Sequence, residues 1–341
     1  FSQIDVTGCP SLALNGPGLP LREKQPLTPE SKLCFTGSVS NPPDFKKFAV
    51  RCTERFPNTY FVPQFIDDLR LMYLGIPHPD TADSRVLHPT NLDHPVFVED
   101  KARFFINLPS MFAFNREMDF NYGTRIHGAI GNILCGVPSL LFPTDARIRE
   151  LAEYHNIPAI PASAVTPDTD LAVLYDQTDF RQVNNGHAER FWHLIDFLNE
   201  NGIKTIYDDR TGTPARSLYD EKTAATSYAQ PVHSMLVRPP EEIARRVDTA
   251  VRLQRKEIED DSRLATQLRD SQRKVTQLQE RNKKQDAQIQ ALKEERKALK
   301  AELKATKKPL RRLAWYQRTS TFGIGLARLK KKLRRLLGKE K

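Results

Sequence analysis

Two short stretches place basic side chains where helices are expected to start. Gly-Thr-Arg-Ile-His-Gly puts Arg125 and His127 behind one apolar run, and Thr-Asp-Ala-Arg-Ile-Arg puts Arg147 and Arg149 behind a second, Val137 to Phe142. The first turn of a helix presents unpaired N–H groups and the positive end of the macrodipole. Arginine there is electrostatically unfavourable unless an anion is held nearby. The pattern therefore points to a grip on phosphate or carboxylate. Arg125 and His127 are the candidate catalytic residues. Thr124, Gly128, Asp145, Arg147 and Arg149 are the candidate substrate-binding ones.

Each has a plainer reading. His127 could cap its helix, and Arg125 could pair with Asp145 or Glu150. Arg149 has Glu153 four residues on, the spacing of an ordinary helix ion pair. Asp145 suits a helix N-cap. Gly123, Gly128 and Gly136 suit tight turns more than ligand contact.

The elements that must carry these residues alternate. Ile4 to Leu14 reads as a strand running into a Gly/Pro loop, Lys32 to Val39 as a short apolar strand, and Pro43 to Arg55 as a helix capped by Asn41. Tyr60 to Phe65 is a further strand. Asp67 to Leu74 is a short helix ended by Gly75, and Pro77 to Pro95 is irregular. A short helix is expected near Glu99 to Leu108, then the two strand–helix units, then a long amphipathic helix from Arg181 to Asn201 closed by Gly202. Strands alternating with helices imply an α/β domain with a Rossmann-like parallel sheet covered on both faces, binding its ligand beyond the C-terminal strand ends.

The formal charge of +10 over 341 residues is concentrated. Lys308 to Lys341 holds twelve Lys/Arg and one acidic residue, about +11, so the remainder is close to neutral. Basicity alone thus gives no reason to expect nucleic acid as a partner. The four cysteines form no CxxC, and the eight histidines include no HExxH or HxH, so no metal site is expected. Three of the cysteines lie in apolar surroundings and read as small buried hydrophobes. No stretch approaches the roughly 20 apolar residues a spanning helix needs. The chain starts at Phe1, on the edge of an apolar segment, and reads as a fragment.

Beyond a polar linker (Ser217 to Pro240), the composition turns to Glu, Lys, Arg, Gln, Ala and Leu. With Leu268 as a, the a positions are Leu268, Val275, Asn282, Ile289, Arg296 and Leu303. The d positions are Leu264, Ser271, Leu278, Gln285, Leu292 and Leu299. This is a coiled coil of about six heptads, with Asn282 favouring a parallel homodimer in one register. Ser271, Gln285 and Arg296 weaken the seam, so a lone solvated helix is the other reading, and Pro309 is expected to stop it. The tail sets Leu326, Leu329, Leu333, Leu336 and Leu337 against Arg328, Lys330 to Lys332, Arg334 and Arg335. That is an amphipathic basic helix suited to an anionic membrane surface, with nucleic acid and a merely solvated tail as the other readings. The expected divisions are 1–210, 211–239, 240–308 and 309–341.

The stretch GTRIHGAIGNILCGVPSLLFPTDARIRELAEYHNIP resembles the signature region of the polysaccharide pyruvyl transferase family. Thr7-Gly8-Cys9-Pro10-Ser11-Leu12, YFVPQFIDDLRLMYLG and FWHLIDFLNENGI resemble further segments of its C-terminal half. The likeness spans roughly residues 4 to 205, is most specific from Gly123 to Glu153, and stops before the coiled coil. It implies the C-terminal domain of a GT-B-like, two-domain transferase, with no counterpart here of the family's preceding N-terminal domain. It also implies transfer of the pyruvyl group of phosphoenolpyruvate onto a sugar as a ketal, with no further cofactor. The family's essential histidine falls on His127.

That chemistry suits the residues independently. Phosphoenolpyruvate carries a phosphate and a carboxylate, so it needs two cationic grips, and its enol carbon must be protonated. The expected acceptor is a cell-surface glycan or its lipid-linked precursor, reached from the cytoplasm at the inner face of the plasma membrane. Two alternatives stand beside this reading. One is a GT-B glycosyltransferase using a nucleotide sugar. The other is a non-catalytic scaffold with a dimerising, membrane-docking arm.

Overall fold

The structure is a computed structural model and describes residues 4–38, 41–78, 89–207, 210, 218–319 and 323–336. Four short strands, β1 (Leu33–Thr36), β2 (Thr59–Phe61), β3 (Phe120–Gly123) and β4 (Ser139–Leu141), form one sheet in the order β2-β1-β3-β4. All pairings are parallel, with Phe35 opposite Phe61 and Tyr122, and Gly123 opposite Thr36 and Leu141. Apart from Tyr60, every strand residue is buried, as expected for a sheet packed on both sides.

Strand alternation divides the core. Leu33, Phe35, Phe61, Phe120, Tyr122 and Leu140 face one side. There they meet α1 (Pro43–Arg55), α2 (Ile66–Leu74) and, further along the chain, α7 (Leu171–Gln177), through Phe45, Phe48, Met72 and Tyr175. Short α3 (Pro95–Val98) adds Phe97 to this side, and α4 (Leu108–Asn115) lends Phe112 to the other. On that second side α5 (Ile126–Leu134) packs Ile126, Ile130 and Ile133 with Leu12 and Leu141, joined by Ile148 of α6 (Ala146–Tyr154). The mixed α/β class and parallel sheet are thus as the alternation implies.

β1 has β2 on one side and β3 on the other, so the chain reverses its progress across the sheet after β2. Crevices at such reversals, beyond the C-terminal strand ends, are where open α/β sheets hold ligands. The approach here is close. A Cβ on Gly123 (φ +153°) would lie 2.2 Å from the Thr36 carbonyl oxygen, and one on Gly128 would lie 2.7 Å from the Thr36 side chain. Both glycines therefore serve the contact between β1 and the start of α5.

Several local expectations fail for identifiable reasons. Ile4 to Leu14 forms no strand. Residues 4–9 are irregular and Pro10–Asn15 is a 3-10 turn, because Gly8 takes φ +68° and Tyr154 holds the Val6 carbonyl at 2.9 Å. Asn41 does not cap α1; its side-chain oxygen accepts from the Thr124 hydroxyl at 2.8 Å instead. The expected helix near Glu99 to Leu108 is absent; residues 99–107 are not helical and α4 begins at Leu108. Ala102 bridges Phe61 and Phe104 bridges Val232, so distant chain segments decide its conformation.

Further along, α8 (His187–Glu200) begins later than Arg181 because Gly186 turns at φ +67°, after a 3-10 stretch Phe180–Asn184. The supposed linker contains α9 (Leu218–Thr223) and a packed end in which Ser234 and Met235 are buried.

The last helices are α10 (Pro240–Thr319) and α11 (Gly323–Leu336). Pro309 does not end α10. A proline removes one intrahelical N–H bond, a loss that a helix this long survives. Residues up to Gln254 belong with the sheet domain, where Arg246 is buried with its guanidinium 4.0 Å over the Tyr73 ring. The rest forms a separate unit. In it, Leu264, Leu268, Val275, Leu278, Ile289, Leu292, Leu299 and Leu303 are all exposed. No helix among the described residues is long and apolar enough to cross a membrane.

Candidate functional site

Arg125 is the N-cap residue of α5 and supplies no side-chain cap. The amides of the first turn are therefore left for another acceptor. Its half-buried guanidinium lies over the Phe65 ring, 3.6 Å from the centroid. Stacking of this kind fixes the plane of the group and is worth about 0.5–2 kcal/mol. Phe65 follows the end of β2 and is itself held by a hydrogen bond from its amide to the Asp68 carboxylate at 3.3 Å. The Arg125 Nε is buried without a hydrogen-bond partner. It forms no salt bridge among the described residues; neither Asp145 nor Glu150 pairs with it.

Burial lowers the Arg125 pKa, Asp68 partly offsets that, and Arg147 lowers it again. His127, one helical position beyond Ile126, is exposed rather than sealed. Its pKa is lowered by partial burial first, then by Arg147 and Arg125. The charge of Arg147 thus reaches both Arg125 and His127, and that of Arg125 reaches His127. Arg125 and His127 are both pressed toward neutrality at the positive pole of a helix. A bound anion relieves that pressure; nothing in the first turn of α5 does so.

The second helix start is arranged differently. Asp145 caps α6, its carboxylate accepting from the Ile148 amide at 2.8 Å. Arg149 approaches Glu153 at 3.9 Å, four residues on, and so takes its plainer reading. Arg147 is exposed and unpaired among the described residues.

Thr124 and Gly128 lie beneath the cationic side chains, packed against β1. Thr124 is buried, with its amide on the Thr36 carbonyl at 2.9 Å and its hydroxyl on Asn41. Gly128 is buried against Thr36. The Thr124 side chain positions the site, while the Gly128 amide belongs to the uncapped first turn of α5. The residues that remain together are Arg125, His127 and Arg147.

One neighbour went unread in the sequence. Cys9, half-buried, has its Sγ 3.9 Å from His127 Nε2, a weak thiol–imidazole contact. Its backbone amide donates to His155 Nε2 at 2.8 Å. Gly8 sits so tightly on Tyr154 and His155 that a Cβ would meet their rings at 2.4–2.5 Å. Only the long-range packing of residues 6–9 on α6 brings the thiol here. Cys34, Cys52 and Cys135 are buried, and burial raises each of their pKa values.

Beside His127 opens a cavity of about 710 Å³ with mostly apolar walls. Among the described residues no group of three His, Cys, Asp or Glu side chains could hold a metal ion.

No protein-family model matches the chain, and no curated protein matches it. Among solved structures it is similar to the glycotransferase of kitacinnamycin, at 20% identity over 53% of this chain and 42% of that one, with a TM-score of 0.28. It is also similar to the glycosyltransferase SnogD from Streptomyces nogalater, at 15% identity over 49% and 41%, with a TM-score of 0.26. The chain spans less than half the length of either. Likeness this slight carries no argument about activity.

His155 gives the site a pH signature. Burial, then Arg190 and His187, push its pKa down to about 4 from 6.5. Between those values the unfolded chain binds the proton and the folded one does not. Stability is therefore fullest above about pH 6.5 and falls as pH drops toward 4, by at most about 3 kcal/mol from this group. His155→Gln keeps an acceptor for the Cys9 amide and should shrink that loss. Urea midpoints at about pH 7.5 and 4.5 measure it, and an undiminished loss in the variant would remove His155 as the source.

Proposed function

We propose that the chain is the donor-binding half of a polysaccharide pyruvyl transferase, its sheet domain corresponding to the C-terminal domain of a GT-B-like enzyme. The observation that carries this reading is the uncapped start of α5, where the charge of Arg147 reaches a stacked Arg125 with an unpartnered Nε and an exposed His127.

Phosphoenolpyruvate carries a carboxylate and a phosphate on one carbon and suits two guanidinium groups flanking free helix amides. In this reading the donor itself arms the acid. The free imidazole is biased toward neutrality, and the donor's charge raises its pKa, so the proton arrives with the substrate. His127 then protonates the enol methylene, which becomes the methyl group. One sugar hydroxyl adds to the resulting cationic carbon and loses its proton. The carbon–oxygen bond to phosphate breaks, phosphate leaves, and the second hydroxyl closes the ketal and loses its proton.

Phosphoenolpyruvate should bind the chain with an affinity that falls at least tenfold in Arg125→Gln. His127→Ala should retain binding and lose phosphate release in the presence of a glycan acceptor. Calorimetry reads the first and a phosphate assay the second. Tight binding of a nucleotide sugar with none of phosphoenolpyruvate would select the glycosyltransferase reading. Donor binding by the full-length protein without turnover on any glycan would select the scaffold.

For the separate C-terminal unit the proposal is a parallel homodimer and an anionic membrane surface as partners, the latter at the cytoplasmic face of the plasma membrane. The apolar a and d side chains of α10 are exposed in the single chain, the condition that a second copy corrects. On α11, exposed Leu329 and Leu333 sit among exposed Lys330, Lys331, Lys332, Arg334 and Arg335. Each basic residue contributes about 1 kcal/mol near anionic lipid. Removing residues 321–341 should leave the sedimenting species dimeric while abolishing flotation with phosphatidylserine vesicles. A truncated chain that still floats, or a full chain that sediments as a monomer, would refute the corresponding part.

A further inference from the structure

The cavity beside His127 is built by elements far apart in the chain. The 3-10 turn Pro10–Asn15, the loop after β2, α4, α5 and α8 all contribute to its walls. Its volume of about 710 Å³ falls within the range of small-molecule sites, roughly 300–1,000 Å³. Phe105, Phe112, Ile130, Leu134, Ile195 and Leu198 supply a wall that is almost wholly apolar.

Ser11, Gln64, His127, Thr205 and Tyr207 are the polar side chains of the lining. His127 belongs to the lining, and so does Gln64, whose neighbour Phe65 carries the Arg125 guanidinium. The cavity is therefore continuous with the cationic corner. Its wall of aromatic and branched side chains offers almost nothing to a hydrated sugar. Such a wall suits hydrocarbon, gaining roughly 25 cal/mol for each Å² of apolar surface removed from water.

We propose that this cavity binds the hydrocarbon chain of an amphiphilic acceptor, an alkyl- or isoprenyl-linked sugar, and presents the first sugar at His127. The acceptor assignment rests on the pyruvyl-transfer reading; the capacity for an alkyl glycoside does not. Sugar hydroxyls leaving the cavity mouth would meet the imidazole and the donor beyond it. Specificity would then lie in the lipid anchor as much as in the glycan. The anchor would also hold the sugar against the loss of translational freedom that a free oligosaccharide meets on binding.

The probes are octyl glucoside and methyl glucoside, used below the micelle concentration with the whole chain. Octyl glucoside should bind at least about fifty-fold more tightly than methyl glucoside, since each buried methylene adds about 0.8 kcal/mol at full burial. Saturating phosphoenolpyruvate should not displace it. An octyl glucoside carrying a diazirine on its chain should label residues of α4, α5 or α8.

Leu198→Trp, and independently Met111→Trp, should each erase most of the chain-length gain while leaving phosphoenolpyruvate affinity unchanged. Equal affinity for the two glucosides would overturn the proposal. So would labelling confined to the exposed leucines of α10 or to α11, which marks hydrocarbon binding elsewhere. Chain-length dependence at the cavity without any phosphoenolpyruvate binding would keep the pocket and sink the donor assignment. Phosphoenolpyruvate binding without chain-length dependence would do the reverse.

Discussion

Positive charge placed at the positive end of a helix costs free energy, and α5 starts with that arrangement. Arg125 occupies the N-cap position without capping, His127 follows within the first turn, and Arg147 acts on both. Burial presses on the same groups, lowering the pKa of Arg125 and of His127 before any neighbour is considered. Asp68 eases Arg125 in part, but no side chain caps the first turn. An arrangement that is unfavourable when empty becomes favourable when an anion enters, which is how a binding site differs from a structural ion pair.

The rest of the sheet domain serves to hold that arrangement in place. Gly123 lets β3 press against β1, and the Thr124 hydroxyl, given to Asn41, ties the end of β3 to the segment that leads into α1. Phe65 comes from the end of β2 and fixes the Arg125 plane. The site is thus assembled from the ends of all four parallel strands, on either side of the reversal in strand order. The contrast with α6 is instructive, because the same sheet edge supplies a helix that Asp145 caps in the ordinary way. Two helix starts with similar sequences have opposite electrostatic completion, and only one is left open for a ligand.

Much of this was legible in the sequence. The β3–α5 and β4–α6 units stand out because each apolar strand, its turn and the helix after it are contiguous, so local signals agree with the fold. Arg125, His127 and Arg147 were found for the same reason. What escaped depends on contacts between distant residues. Thr124 reads as a ligand contact until Asn41, more than eighty positions earlier, takes its hydroxyl. Phe104 carries a helical spacing that its bridge to Val232 overrides. Cys9 meets His127 only because residues 6–9 are strapped to Tyr154 and His155. The cavity wall gathers residues from Pro10 to Tyr207, and no window of the sequence contains enough of it to reveal its shape.

The central claim is that α5 opens on a cationic corner whose imidazole takes up a proton when an anion arrives. Nuclear magnetic resonance of imidazole carbons labelled with carbon-13 follows the titration of His127 directly, with His127→Gln assigning the signal. The free chain should give a value below the ordinary 6.5, and saturation with phosphoenolpyruvate should move it upward, past the free value. A titration identical with and without the donor would contradict the account, because the anion would then be bound elsewhere or not at all.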